Sequence, residues 1–172
     1  MNIISTTNLE SIPPILREKA KPVTDIKKVA ALYQEFLETL QGSNGIGLAA
    51  PQVGISERFL AVHHLPHTED EQTLPLTFLI NPELVKRSEE TLPWREGCLS
   101  LPGYFGQTLR SGEIKVKGLN RFGKPVTVKA SGLYACALQH EIDHLDGVLF
   151  IDHATDVKYE LPAEVAKDAI IE

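Results

Sequence analysis

Apolar residues recur along this chain with two periods, and the change of period divides it into elements. Ile26, Val29, Ala30, Tyr33, Phe36, Leu37 and Leu40 fall at helical spacing, which predicts a helix from about Asp25 to Gln41. Thr24 or Asp25 is suited to cap its start and Gly42 to stop it. Ahead of it, Pro13, Pro14 and Pro22 punctuate an irregular lead-in. The period then shortens: 58–64 and 76–80 read as strands, and 84–95 as one or two more. Segments 114–120 and 125–131 form a hairpin around Arg121-Phe122-Gly123-Lys124. A second helix from about Gly132 to Leu145 ends at Asp146-Gly147, and 162–171 reads as a last short helix with Pro162 in its first turn. Helix, strands, helix, helix is an α+β order rather than a βαβ wind. The expected fold is a set of antiparallel sheets around a central helix, with an N-terminal helix and a short C-terminal helix, in one domain over 1–172.

Composition narrows the class. A chain of 172 residues that is 42% hydrophobic can bury a core without staples. Cys98 and Cys136 are its two cysteines, too few for a disulfide framework, so a reducing, cytoplasmic setting is expected. No apolar run approaches a membrane span and the first residues lack a basic, then apolar, leader, so neither membrane nor export is expected. A net charge of -6 argues against a nucleic-acid partner.

The chemistry sits on the second helix. In Gln139-His140-Glu141-Ile142-Asp143-His144, two histidines four apart lie on one helical face and reach a single metal ion. Glu141, turned about 100° off that seam, is free to handle the proton of a water that the ion activates. This makes the central helix a metal-binding HExxH helix. Such a site needs a third ligand and an open position. Extension to HExxHxxGxxH fails, because Phe150 stands where the third His belongs. Glu160 and Glu164 lack the setting of a helical Glu ligand. Cys98, within Glu96-Gly97-Cys98-Leu99-Ser100, is the better donor. It lies 42 positions before His140, so it must close the site from another element. Cys136, on the inner face of the helix, reads as a small wall residue.

Together with Gly45-Ile46-Gly47-Leu48-Ala49-Ala50-Pro51-Gln52, these stretches match GxGxAAxQ, EGCLS and QHExxH, and the chain resembles peptide deformylase over nearly its whole length. The resemblance implies removal of the formyl group from N-terminal formyl-methionine of newly synthesised peptides, releasing formate. It implies one divalent metal ion on Cys98, His140 and His144, with Fe(II) the expected native ion and Zn(II) or Ni(II) also suited to one sulfur and two nitrogens. Glu141 would take the water proton and deliver it to the leaving amine. The Gln52 amide and the Leu99 N–H would hold the oxyanion. Ile46, Leu133 and Cys136 would line the methionine pocket, with Gly47 and Gly97 beside the peptide; Gly45 and Gly47, without a Cβ, let a peptide backbone approach closely. The resemblance also pairs Glu96 with Arg110, steadying the Cys98 loop.

The chain departs from the family in three places, the first being Asn44, which stands before the first motif where an acid is frequent. Phe105 stands where a basic residue is often found, which changes the grip on the far end of the peptide. From Asp152 to Glu172, six acids face only Lys158 and Lys167, a net of -4, so ribosome docking by the tail is not expected. His63 and His64, adjacent on a strand, point to opposite faces and do not share an ion; with His67 they read as solvated. Two rival readings remain: a metallopeptidase cleaving internal bonds, and a non-catalytic binder that kept the fold. Intact Glu141 argues against the second.

Overall fold

A computed structural model describes residues 1–64 and 73–160. The first helix, α1 (Ile26–Gln41), forms as its periodicity requires: the Asp25 side chain accepts from the Lys28 N–H at 3.1 Å and Gly42 ends it. Its buried stripe of Val29, Phe36, Leu37 and Leu40 packs with Phe59 and Phe78. Strands β1 (Gly47–Ala49), β2 (Phe59–His64), β3 (Leu74–Arg87), β4 (Thr91–Cys98), β5 (Leu101–Ser111), β6 (Glu113–Leu119) and β7 (Pro125–Ser131) follow, then α2 (Gly132–Leu145) and β8 (Thr155–Tyr159). All ladders between them are antiparallel, in a five-stranded sheet ordered β1-β2-β3-β6-β7 and a three-stranded sheet ordered β4-β5-β8.

The helix α2 is buried almost all round. Ala135, Leu138, Ile142 and Leu145 join Leu60, Val62, Ile114 and Val116 of the larger sheet in one apolar cluster. Cys136 and His140 turn instead toward Glu96 on β4 of the smaller sheet. The helix ends where Gly147 adopts φ 74, and a Cβ there would collide with the Arg17 carbonyl, so the stop demands glycine.

The strands differ from expectation in three ways. Segments 76–80 and 84–87 are one strand, because Asn81-Pro82 forms a bulge inside β3 rather than a break. Asn81 takes φ 51 and bonds the Val23 N–H and carbonyl at 2.8 and 2.9 Å. The rest of the 84–95 stretch belongs to β4, beyond a turn at 88–90. Strands β1, β5 and β8 were unforeseen, although β5 is the central strand of its sheet. The expected C-terminal helix over 162–171, and His67, lie outside the described residues.

Candidate metal centre

The end of β4 delivers Cys98 to the face of α2 that carries the two histidines. Their rings are 5.0 Å apart, centroid to centroid, and Cys98 Sγ lies 3.2 Å from His144 Nε2. One donor atom from each of Cys98, His140 and His144 lies within 4.8 Å of the others. Glu96 Oε2 bonds His140 Nδ1 at 2.7 Å, which leaves the other ring nitrogen for an ion. Glu96 is in turn gripped by Arg110, through Nε at 2.6 Å and Nη2 at 3.0 Å, and by the Thr108 hydroxyl. Arg110 also donates from Nη1 to Asp143 Oδ2 at 2.5 Å. A chain of charge-assisted bonds therefore fixes one ligand ring from behind.

The two cysteines differ in chemistry. Burial would raise the Cys98 thiol, but His144 and His140 outweigh it and hold it well below the usual thiol range, as a ligand thiolate requires. Burial and the Glu96 charge push Cys136 up to about 12, so it stays a thiol. For Glu96 burial is likewise outweighed, by His140 and Arg110, and its carboxyl sits well below the usual carboxylate range. Glu141 goes the other way: burial pushes it up to about 7, against the pull of His140 and His144. Its Oε2 is buried without a hydrogen-bond partner among the described residues. Gly47 makes room for that side chain, since a Cβ there would collide with Glu141 Oε1.

Gln52 is 1% exposed in a 3-10 turn, Ala50–Val53. Its Oε1 accepts from the Ala49 N–H at 2.8 Å, which turns Nε2 toward Cys98 Sγ (3.7 Å) and Ser100 Oγ (3.3 Å). These groups border a cavity of about 500 Å³. Cys98, Leu99, Gln52, His140 and Glu141 wall it together with Ile46, Gly47, Gly97, Leu133 and Cys136, while His144 stands behind the wall. The structure thus brings all these sequence-selected residues to one place. His63 and His64 end β2, outside this lining. A larger recess of about 620 Å³ along β3, β6 and β7 is lined by Lys86, Lys115 and Lys129 among others and holds no comparable donor set.

Sequence reasoning missed two features. One is the contact of Glu96 with His140; its only trace is an acid two residues before a ligand on one strand. The other concerns Phe105, whose ring carries the Arg95 guanidinium 4.0 Å from its centroid at the cavity rim. The expected loss of a cation at position 105 is therefore offset by an arginine from the neighbouring strand.

Comparison with known proteins gives a consistent result. Residues 7–160 match the family model described as polypeptide deformylase. A peptide deformylase of Halothermothrix orenii is 46% identical over 149 residues, covering 86% of this chain and 92% of that protein. A crystal structure of a probable peptide deformylase from Synechococcus phage S-SSM7 aligns with a TM-score of 0.76 at 40% identity, covering 88% of this chain and 98% of that one. A class I type b peptide deformylase from Acinetobacter baumannii, solved with Met-Ala-Ser bound, aligns with a TM-score of 0.80 at 33% identity, covering 89% and 97%.

Proposed function

The chain belongs to the peptide deformylase family, hydrolases that remove the formyl group from N-terminal formyl-methionine, and we propose that here Cys98, His140 and His144 hold the metal ion this chemistry needs. The observation that carries the assignment is the cluster of one thiolate-prone sulfur and two imidazoles on one cavity, beside the buried Glu141 carboxyl, whose Oε2 has no hydrogen-bond partner among the described residues. A divalent ion bound there supplies Lewis-acid chemistry, activating water and polarising the formyl carbonyl. The donor set suits Fe(II), Zn(II) and Ni(II), and family membership favours Fe(II) as native.

The chain's own groups do the rest. Glu141 accepts a proton from the attacking water and returns it to the amine nitrogen as the C–N bond breaks. Gln52 Nε2, aimed toward Cys98 by the Oε1 bond to Ala49, and the Leu99 N–H donate to the oxygen as it gains charge. Glu96 keeps His140 in the tautomer that presents its free nitrogen. Ile46, Leu133 and Cys136 take the methionine side chain, and Gly47 and Gly97 let the peptide backbone lie close. The homologue that holds Met-Ala-Ser supports a cavity of this kind. Residues 1–172 act as one catalytic domain in a reducing cytoplasm, and the acidic tail argues against ribosome docking.

The test is paired. Formyl-Met-Ala should release formate while an unformylated peptide releases no amino acid, and anaerobically purified protein should carry about one metal ion per chain, iron if the family ion is native. Cys98→Ser, which replaces a soft thiolate by a neutral hydroxyl, should lose the ion and the activity together. A metal stoichiometry that stays near one would remove Cys98 from the ligand set.

A further inference from the structure

The catalytic cavity has an outer end with chemistry of its own. Arg95 and Phe105 wall it there, and the same two side chains wall an adjoining recess of about 190 Å³ that also takes in Asp156, Lys158 and Glu160. Phe105 is held flat against the chain: its ring fills the space over Gly97, where a Cβ would stand 2.7 Å from Cε1. The Arg95 guanidinium lies over that ring, 4.0 Å from its centroid, with its plane braced rather than free to wave. At its edge, Nη2 donates to Glu160 Oε2 at 2.6 Å, and both side chains are about half exposed, at 49% and 50%. The site therefore already holds one carboxylate, by a bond that water and other carboxylates can reach and exchange.

Position decides what such a site would bind. Arg95 lies three residues before Cys98 on β4, about 10 Å at 3.3 Å per residue. An extended peptide spans a similar distance in three residues. A peptide with its formyl group at Cys98, running along β4 toward the rim, brings its third residue beside Arg95. We propose that Arg95, stacked on Phe105, is a specificity-determining residue that recognises an acidic side chain at the third position of the formyl peptide, and that Glu160 is the internal carboxylate this side chain displaces. The proposal rests on the deformylase reading and deepens it by assigning a substrate class.

The experiment measures formate release by the full-length, metal-loaded enzyme from formyl-Met-Ala-X amides with X = Glu, Gln or Lys, at low and at high salt. Amides remove the terminal carboxylate, so only the side chain differs. Expected is an order Glu > Gln > Lys in kcat/KM, with Glu and Lys about three- to fivefold apart, carried by KM and flattened by salt, the size that a half-exposed ion pair supports. Arg95→Ala should collapse the Glu:Lys ratio to about one, Arg95→Lys should keep part of it, and Glu160→Gln should raise it. Equal kcat/KM for the three peptides, or an Arg95→Ala loss shared equally by all of them, overturns the proposal while leaving the deformylase reading intact. Formate release from none of the peptides overturns that reading and this proposal with it.

Discussion

Arg95 and Glu96 are neighbours on β4, yet each belongs to an Arg–Glu pair of opposite character. Glu96 and Arg110 meet at 2.6 Å with side chains 5% and 7% exposed; Arg95 and Glu160 also meet at 2.6 Å, but at 49% and 50%. The contact length is the same and the physics is not. A buried ion pair has given up its hydration, so its remaining lone pairs and protons must be bonded. Glu96 accordingly accepts from Arg110 twice, from Thr108 and from His140, and Arg110 reaches on to Asp143. The outer pair is half exposed and, among the described residues, makes a single bond with one aromatic support. One strand thus provides a rigid mount for a metal ligand on one face and an exchangeable contact on the other.

The inner end should fail hardest when its chemistry, rather than its scaffold, is removed. Glu141→Gln leaves the ion-pair network and the ligands untouched, so metal content should hold while turnover falls by about 10²–10⁴-fold. Stability should not fall with it. The native carboxyl is pushed from 4.5 up to about 7 by burial, so the metal-free protein loses stability as pH rises through that window, where the folded state holds a proton that the unfolded state has released. Glutamine carries no such cost. At pH 8 the metal-free variant should melt at or above the native temperature; turnover within about tenfold of native would withdraw the role.

Arg110→Ala attacks the mount itself. It leaves Glu96 and Asp143 charged and buried or half-buried without their partner, a change that typically costs about 3–5 kcal/mol. Metal affinity should fall by about 10–100-fold, because Glu96, the acceptor that orients His140, loses the guanidinium that holds it in place. Chemical denaturation and metal competition measure the two losses. A stable variant with native metal affinity would break the contrast between the two pairs. Gln52→Ala should leave the mount alone and lower kcat by about 10²–10³-fold, with little change in the binding of a Met-peptide product. Loss of product affinity at unchanged kcat would make Gln52 a substrate clamp.

The same contrast explains what the sequence disclosed. Helix α2 and its paired histidines were readable because ligand spacing and helical period coincide within six residues. The hairpin of β6 and β7 was readable from its alternation. Strand β5 was not: Pro102, Gly103 and Gly106 break its pattern and Leu109 faces out at 68% exposure, yet Gly106 is small because Ala154 presses against it. Strand β8 is interrupted locally by Asp156 at φ 52. In the site, residues that act within one segment were legible, including Cys98 by its motif. The bond from Glu96 to His140 spans 44 residues, and the stack of Arg95 on Phe105 depends on cross-strand register. Neither distance is written in local periodicity.

The smallest effect tests the outer pair as structure. Glu160 is tied to the fold independently of its side chain, through its backbone N–H to the Gly103 carbonyl at 2.7 Å, and Tyr159 packs on Tyr104 with ring centroids 5.0 Å apart. Glu160→Gln should therefore leave β8 in place and remove only a half-solvated charge. Such pairs contribute about 0–1 kcal/mol, and salt near 0.15 M screens beyond about 8 Å, so the melting temperature should move by a few degrees at most, and less in high salt. Thermal melts at two salt concentrations measure it. A loss as large as that of Arg110→Ala would mean the outer pair is also a fixed mount, and the division of β4 into a rigid and an exchangeable face would fall.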